Sequence, residues 1–191
     1  MKRLLTLALA LLVAGGVMAQ DNFGMYRLVG GEYLDYIPME ECDAGTALDL
    51  IVTLHNPTSF SIGGFEVGID MPSQLFVLNG VFPNGGTNFG GSFTNLLVGY
   101  MTPIPVQTDI ITLVTLNCLI GSTPPEALYV VYHGANPPSI PGHDGPVYAD
   151  GVNPDILVPC GYINGTPNVF LFGGVVAVEN QTWTGVKNLF D

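Results

Sequence analysis

The chain has 191 residues, 48% of them hydrophobic and only 10% charged, with 25 Gly and 15 Pro. That size and apolarity fit one domain with one sizeable core, and they exclude a disordered acidic tail despite a formal charge of −12. Four basic residues against sixteen acidic ones also exclude nucleic acid and anionic membrane surfaces as partners, because phosphate binding needs clustered Lys and Arg.

The first nineteen residues read as an export signal. Lys2 and Arg3 give a positive start, Leu4 to Val13 form an uncharged apolar run, and small residues close the segment at Val17-Met18-Ala19. Such a run is too short for a stable membrane anchor. The expected cut lies between Ala19 and Gln20, and it leaves Arg27 and Lys187 as the basic residues of the mature chain. No Cys stands directly after the cut to take a lipid, and no later stretch is apolar enough to span a bilayer, so the expected location is secreted: periplasm, exterior or cell surface.

Downstream, period two dominates. Leu48, Leu50, Val52 and Leu54 share one face while Asp49, Thr53 and His55 share the other, with Ile51 as the exception. Phe65, Val67 and Ile69 then alternate with Glu66, Gly68 and Asp70. This is the pattern of an antiparallel pair with one buried and one wet face. The loop between them, Asn56 to Gly63, carries Ser59 and Ser61, which are expected to be exposed. Further strands are expected at 75–78, 96–100, 110–119, 128–133, 147–148, 169–172 and 175–178. The connections "FPNGGTNFGGS", "TPIPV", "STPPE" and "NPPSIPGHDG" are turn or loop chemistry. Many short strands between Gly/Pro-rich turns predict an all-β chain, an antiparallel β-sandwich, over residues 20–179. In the final stretch, 180–191, Trp183, Val186, Leu189 and Phe190 recur at helical spacing after Asn180 or Thr182 as an N-cap, which predicts a short C-terminal helix.

Three cysteines follow the signal. Cys118 continues the alternating face Ile110, Thr112, Val114, Leu116 and is expected as a buried thiol. Cys42 and Cys160 lie in turn-like surroundings, so an oxidising compartment predicts a Cys42–Cys160 disulfide, with bridging between molecules through the odd cysteine as the alternative.

No catalytic constellation stands out. There is no G-x-S-x-G elbow. His55, His133 and His143 are too scattered for a zinc site, and His55 and His133 are expected as solvated strand-end residues. The Gly-rich "NGGTNFGGS" lacks the lysine and the strand-to-helix context of a phosphate loop. Two acidic groups deserve comparison with calcium and glycosidase sites: Glu40, Glu41 and Asp43, and then Asp144, Asp150 and Asp155. Neither has the spacing of a helical calcium loop, and nothing in the sequence sets two carboxylates face to face. The chain is therefore expected not to be an enzyme and to need no metal or cofactor. Sugar binding stays open through Tyr26, Tyr33 and Tyr36 and the amides Asn84, Asn88 and Asn95, if these present coplanar rings and free amides.

Residues 44–82 resemble the opening strands of cohesin-like β-sandwiches, through Gly45-Thr46, Gly64-Phe65-Glu66 and Asp70-Met71-Pro72, and 110–119 resembles a later strand of that fold. The resemblance implies a cohesin-like or immunoglobulin-like sandwich and a protein partner. Trp183, Gly185, Val186, Lys187, Leu189 and Phe190 make a tail that is similar to those ending small secreted bacterial proteins, which implies export and surface display. The expected function is a non-catalytic module for protein binding or a structural surface role. The alternatives are a carbohydrate-binding module and an extracellular hydrolase. Self-association through strand edges is a further expectation, blunted on one edge by Pro103 and Pro105.

Overall fold

The computed structural model describes residues 21–163 and 169–174. The expected cleavage position, the strand at 175–178 and the helical tail lie outside the described residues. The chain begins with three strands that the alternation at 48–70 did not announce: β1 (Asn22–Val29), β2 (Glu32–Leu34) and β3 (Tyr36–Pro38). A short 3-10 turn, Met39–Glu41, leads to β4 (Ala47–His55), β5 (Ser61–Asp70) and β6 (Leu75–Val81). β7 (Gly86–Asn88), β8 (Asn95–Pro105) and β9 (Ile110–Ile120) follow, then β10 (Leu128–His133) and β11 (Val147–Asp150). β12 (Leu157–Pro159), β13 (Gly161–Tyr162) and β14 (Val169–Gly174) complete the described elements.

These strands form two sheets of mainly antiparallel pairs, face to face. The first has the order β13-β1-β4-β9-β6, with β2 on the end of β1. In the second, β5 is central. Along one edge it pairs with β8, which carries β7. Along its other edge it pairs with β11 at one end and β10 at the other. From there β12 extends β11, and β14 and β3 extend β10.

The period-two faces explain the layering. Leu50, Val52 and Leu54 of β4 and Phe65, Val67 and Ile69 of β5 all point into one core shared by both sheets. Each fully buried leucine there contributes about 2 kcal/mol by removal from water. The exception in the pattern, Ile51, lies in register with Tyr26 of β1 on the outer face of the first sheet. It is nevertheless buried there. β8 runs on through the expected "TPIPV" loop. Beyond residue 100 it pairs with β5 but has lost β7, so Pro103 and Pro105 sit on a stretch with one open edge, where a missing N–H is tolerated.

The cysteines correct an expectation. Cys42, Cys118 and Cys160 are three separate buried thiols, and the Cys42–Cys160 bridge is not formed. The topology gives the reason: Cys42 follows β3, at one margin of the second sheet, whereas Cys160 follows β12, at the opposite margin. Each sulfur faces a carbonyl of its own neighbourhood, Pro38, Leu116 and Val158 respectively, at 3.4, 3.5 and 3.4 Å. Burial pushes all three thiols up, Cys118 to about 12.

Candidate functional site

A groove of about 360 Å³ runs over the outer face of the second sheet, where β8, β5 and β11 lie side by side. On these strands the inward residues Val98, Phe65 and Tyr148 occupy the core, so Gly99, Gly64 and Ala149, which pair across the strands, form the floor on the other face. The floor is low because it must be. A Cβ on Gly64 would collide with the Val98 carbonyl, beside an irregularity in the β5–β8 register. At Gly99 the space of a side chain is taken by Phe89, whose ring edge lies 3.3 Å from where a Cβ would stand. Phe89 is 75% exposed and makes one wall with Leu97; Pro154 and Leu157 make the other.

One end of the groove is closed by the segment after β10. Glu66, 6% exposed, is the one carboxylate among the described residues that line the groove. Its Oε1 accepts the Ser139 N–H at 2.9 Å and its Oε2 accepts the Ser139 hydroxyl at 2.6 Å. A second clasp lies alongside: Asn95 Nδ2 donates to the Asn136 carbonyl at 2.9 Å, and the Asn136 N–H donates back to Asn95 Oδ1 at 2.9 Å. The connection 134–146 is thus held against the sheet face at two points, which fixes the groove's end without a helix or disulfide. Among the described residues, the acid–base pairs within bridging distance are Arg27–Glu41 and His133–Asp70, so Glu66 has no cationic partner there.

This arrangement can take up an apolar surface, but it holds a single carboxylate whose hydrogen bonds are directed at its own loop. General acid–base cleavage of a glycoside needs two carboxyl groups across a cleft, and the groove supplies one. Among the described residues no three His, Cys, Asp or Glu side chains come together to hold a metal.

The residues singled out in the sequence are placed as follows. Tyr26 and Tyr33 meet edge to face, with ring centroids 5.5 Å apart and planes at 68°, so they form no coplanar platform. Burial, with Asp35 nearby, pushes the Tyr26 hydroxyl up to about 12. His55 is not solvated as expected: it is 7% exposed, against Tyr26, with Nε2 2.9 Å from Thr53 Oγ1, and burial lowers its pKa. His133 and His143 contact the carbonyls of Gly134 and Pro146 at 2.6 and 3.2 Å.

The three amides are spent on the fold. Asn84 donates to the Pro103 carbonyl, Asn88 accepts the N–H groups of Gly90 and Leu97, and Asn95 clasps Asn136. Of the acids, Glu41 forms a two-bond pair with Arg27, which holds its carboxyl below the usual carboxylate range. Asp150 accepts the N–H groups of Asn153 and Val152 and caps its own turn. In the loop 56–63, Ser59 and Ser61 are half-buried rather than exposed; Thr58 is exposed, and the large side chain that projects is Phe60, 88% exposed. The loop itself is moored from below. Asp21 accepts the Thr58 N–H at 2.8 Å and the hydroxyl of buried Tyr148 at 2.6 Å.

Sequence reasoning did not find the groove. Gly64 and Glu66 stand there in the cohesin-like run and the alternating strand, Phe89 in a Gly-rich connection, and Gly99 inside the expected strand 96–100. The signal available was the glycine on successive strands beside an aromatic-bearing turn, which a strand pairing was needed to bring together.

No known family model matches the chain, and no curated protein does. Among solved structures it is similar to the sixth cohesin of scaffoldin B from Acetivibrio cellulolyticus, solved in complex with a Cel5 dockerin mutant. That match has 17% identity and a TM-score of 0.49, over 80% of this chain and 97% of the other. A type II cohesin domain from the cellulosome of Acetivibrio cellulolyticus matches at 14% identity and a TM-score of 0.46, over 80% and 95%. No residue role is carried across from either.

Proposed function

We propose that the protein is an exported, non-catalytic β-sandwich module that binds another protein through the groove on the outer face of its second sheet. The observation behind this reading is the groove itself: a fixed, mostly apolar depression with a glycine floor, an exposed aromatic wall and one carboxylate already bonded to its own loop. Concave, apolar, preformed sites with a few placed polar groups are where ligands bind. In this reading the segment ending at Ala19 directs export, Gln20 begins the mature chain, the module spans 20–179, and the tail 180–191 with Trp183, Lys187 and Phe190 serves its display. Among the described residues no helix is long and apolar enough to cross a membrane.

The test is capture of partners from the exported proteins of the source cells, with the protein immobilised. Partners that bind the parent, are lost with Leu157→Asp or Phe89→Ala, and persist with Phe76→Asp on the other sheet support the reading. A partner set indifferent to the groove variants overturns it, and so does hydrolysis of a glycan or peptide by the purified protein.

A carbohydrate-binding reading has one observation in its favour. Tyr129, Leu171 and Tyr36 stand in register across β10, β14 and β3 on the outer face of the same sheet, with the tyrosines about 10 Å apart by strand spacing. A glycan retained by the parent and released by Tyr129→Ala would favour it over the protein-binding reading.

A further inference from the structure

We infer that Glu66 makes the groove selective for a protein segment that presents a lysine or arginine between apolar side chains. The inference rests on the groove being a protein-binding site and adds the chemistry of what enters it.

Three features of the site lead there. Glu66 is more than nine-tenths buried yet borders the groove. A carboxylate has about four lone-pair positions, and Ser139 takes two of them. The remaining acceptor capacity belongs to a group that no cation among the described residues neutralises. A buried charge is favourable only when paired and fully hydrogen-bonded, so a cationic donor entering the groove gains what the free protein does not supply.

The walls fit the rest of such a side chain. The stems of Lys and Arg bury their methylenes along apolar surface while the head stays polar, and here Leu97 and Leu157 border the route to the carboxylate. The exposed ring of Phe89 offers a face to a cation as well. The field of the whole molecule acts in the same direction. With 16 acidic and 4 basic residues, the chain attracts basic segments and repels acidic or phosphorylated ones. Because β5 is paired along both edges at Glu66, the partner enters by side chains from above and does not add a strand to the floor.

The probe set is three capped tripeptides, acetyl-Leu-Lys-Leu-amide and its norleucine and glutamate counterparts, titrated into the isotope-labelled protein and followed by amide NMR. The lysine peptide is expected to move the signals of Leu97, Gly99 and Ala149 and to bind about tenfold more tightly than the norleucine peptide, the worth of a hydrogen bond to a charged group. That preference is expected to fall with added salt and to vanish in Glu66→Gln, which keeps an acceptor for the Ser139 N–H. Phe89→Ala is expected to weaken both peptides, and the lysine peptide more, because the ring supplies an apolar wall to both and a face to the cation. Should Glu66→Gln unseat the loop, seen at Asn95 and Asn136, the salt dependence of the parent decides alone.

Equal binding of the lysine and norleucine peptides at the groove, or a preference that salt leaves unchanged, overturns the selectivity and leaves the groove reading standing. No groove response to any of the three peptides overturns both. n-Butylammonium binding as tightly as the lysine peptide would make this a site for small amines and overturn the assignment to a protein segment.

Discussion

Ser139→Ala removes one of the two hydrogen bonds by which Glu66 holds the 134–146 connection on the sheet. The lost contact is a hydroxyl-to-carboxylate bond of 2.6 Å to a side chain that is 6% exposed. Bonds to charged groups contribute about 1.5–3 kcal/mol when the partner left behind stays dry. Here the carboxylate borders an open groove, where water replaces part of the loss, so the low end applies: about 1.5 kcal/mol. For a domain of this size that lowers Tm by roughly 3–6 °C. In urea, with a slope of about 2 kcal/mol/M, the midpoint falls by about 0.7 M with the slope unchanged.

The assay is urea unfolding followed by fluorescence, run as a double-mutant cycle with Glu66→Gln, in which a coupling of about 1 kcal/mol is expected between residues in direct contact. Hydrogen exchange should rise within 134–146 and not in β4 or β9, because only the loop's seat is loosened. A Ser139→Ala midpoint indistinguishable from the parent would refute the reasoning. It would mean that the Asn95–Asn136 clasp seats the loop by itself and that Glu66 is exposed to solvent.

The remaining expectations concern the thiols, the buried histidine and the loop mooring. An Ellman assay on protein purified without reductant should count no thiols in the native state and all three cysteines after unfolding; a single thiol after unfolding would show one disulfide, with peptide mapping needed to name its pair. Burial depresses the His55 pKa in the folded state, so as pH falls the unfolded chain takes up the proton first. The stability this ring contributes is therefore complete above about pH 6.5 and is lost as pH drops from there through the depressed folded value. The difference between the stability profiles of the parent and His55→Gln should show that loss as pH falls below about 7, and a flat difference would refute burial of a neutral ring. Tyr148→Phe leaves the ring in the core but removes its donation to Asp21. A loss of about 1–2 kcal/mol is expected, with faster exchange at Thr58 and Ser59, and unchanged exchange at those two amides would show that the hydroxyl does not moor the loop.

Much of the sandwich was legible because one residue in two along β4, β5 and β9 is apolar and inward, and that signal survives a bulge such as the one between Val52 and Thr53. β1 escaped notice although Phe23 and Met25 alternate into the core, because Gly24 between them and Asn22 before them are residue types common in turns. The structure shows why a glycine stands there: the Tyr26 ring folds back over the place a Gly24 side chain would need. The disulfide expectation failed for a related reason. Turn-like surroundings say that Cys42 and Cys160 lie outside strand interiors, but only the strand order places them at opposite margins of one sheet. The groove was invisible for the same cause, since its floor, wall and carboxylate come from separate strands and a loop 73 residues from Glu66 along the chain.

What distinguishes the groove from ordinary sheet surface is that its parts work against stability. Glycine inside a strand sacrifices roughly 0.5–1 kcal/mol relative to a residue that packs, and Gly64 and Gly99 lie opposite each other on neighbouring strands. Phe89 partly compensates by covering Gly99, yet three quarters of it stays exposed. Glu66 adds a buried charge without a cation among the described residues. The outer face of the first sheet has none of this combination. There Asp49 is bonded to Asn117 across β4 and β9 at 2.6 Å, and the next positions carry side chains that cover the strands, Ile51 beside Thr115 and Thr53 beside Thr112. A face shaped by folding alone would resemble that one, where the polar side chains pair with each other. A depression maintained at the cost of packing, with its one charge held at the closed end, is what a binding surface requires.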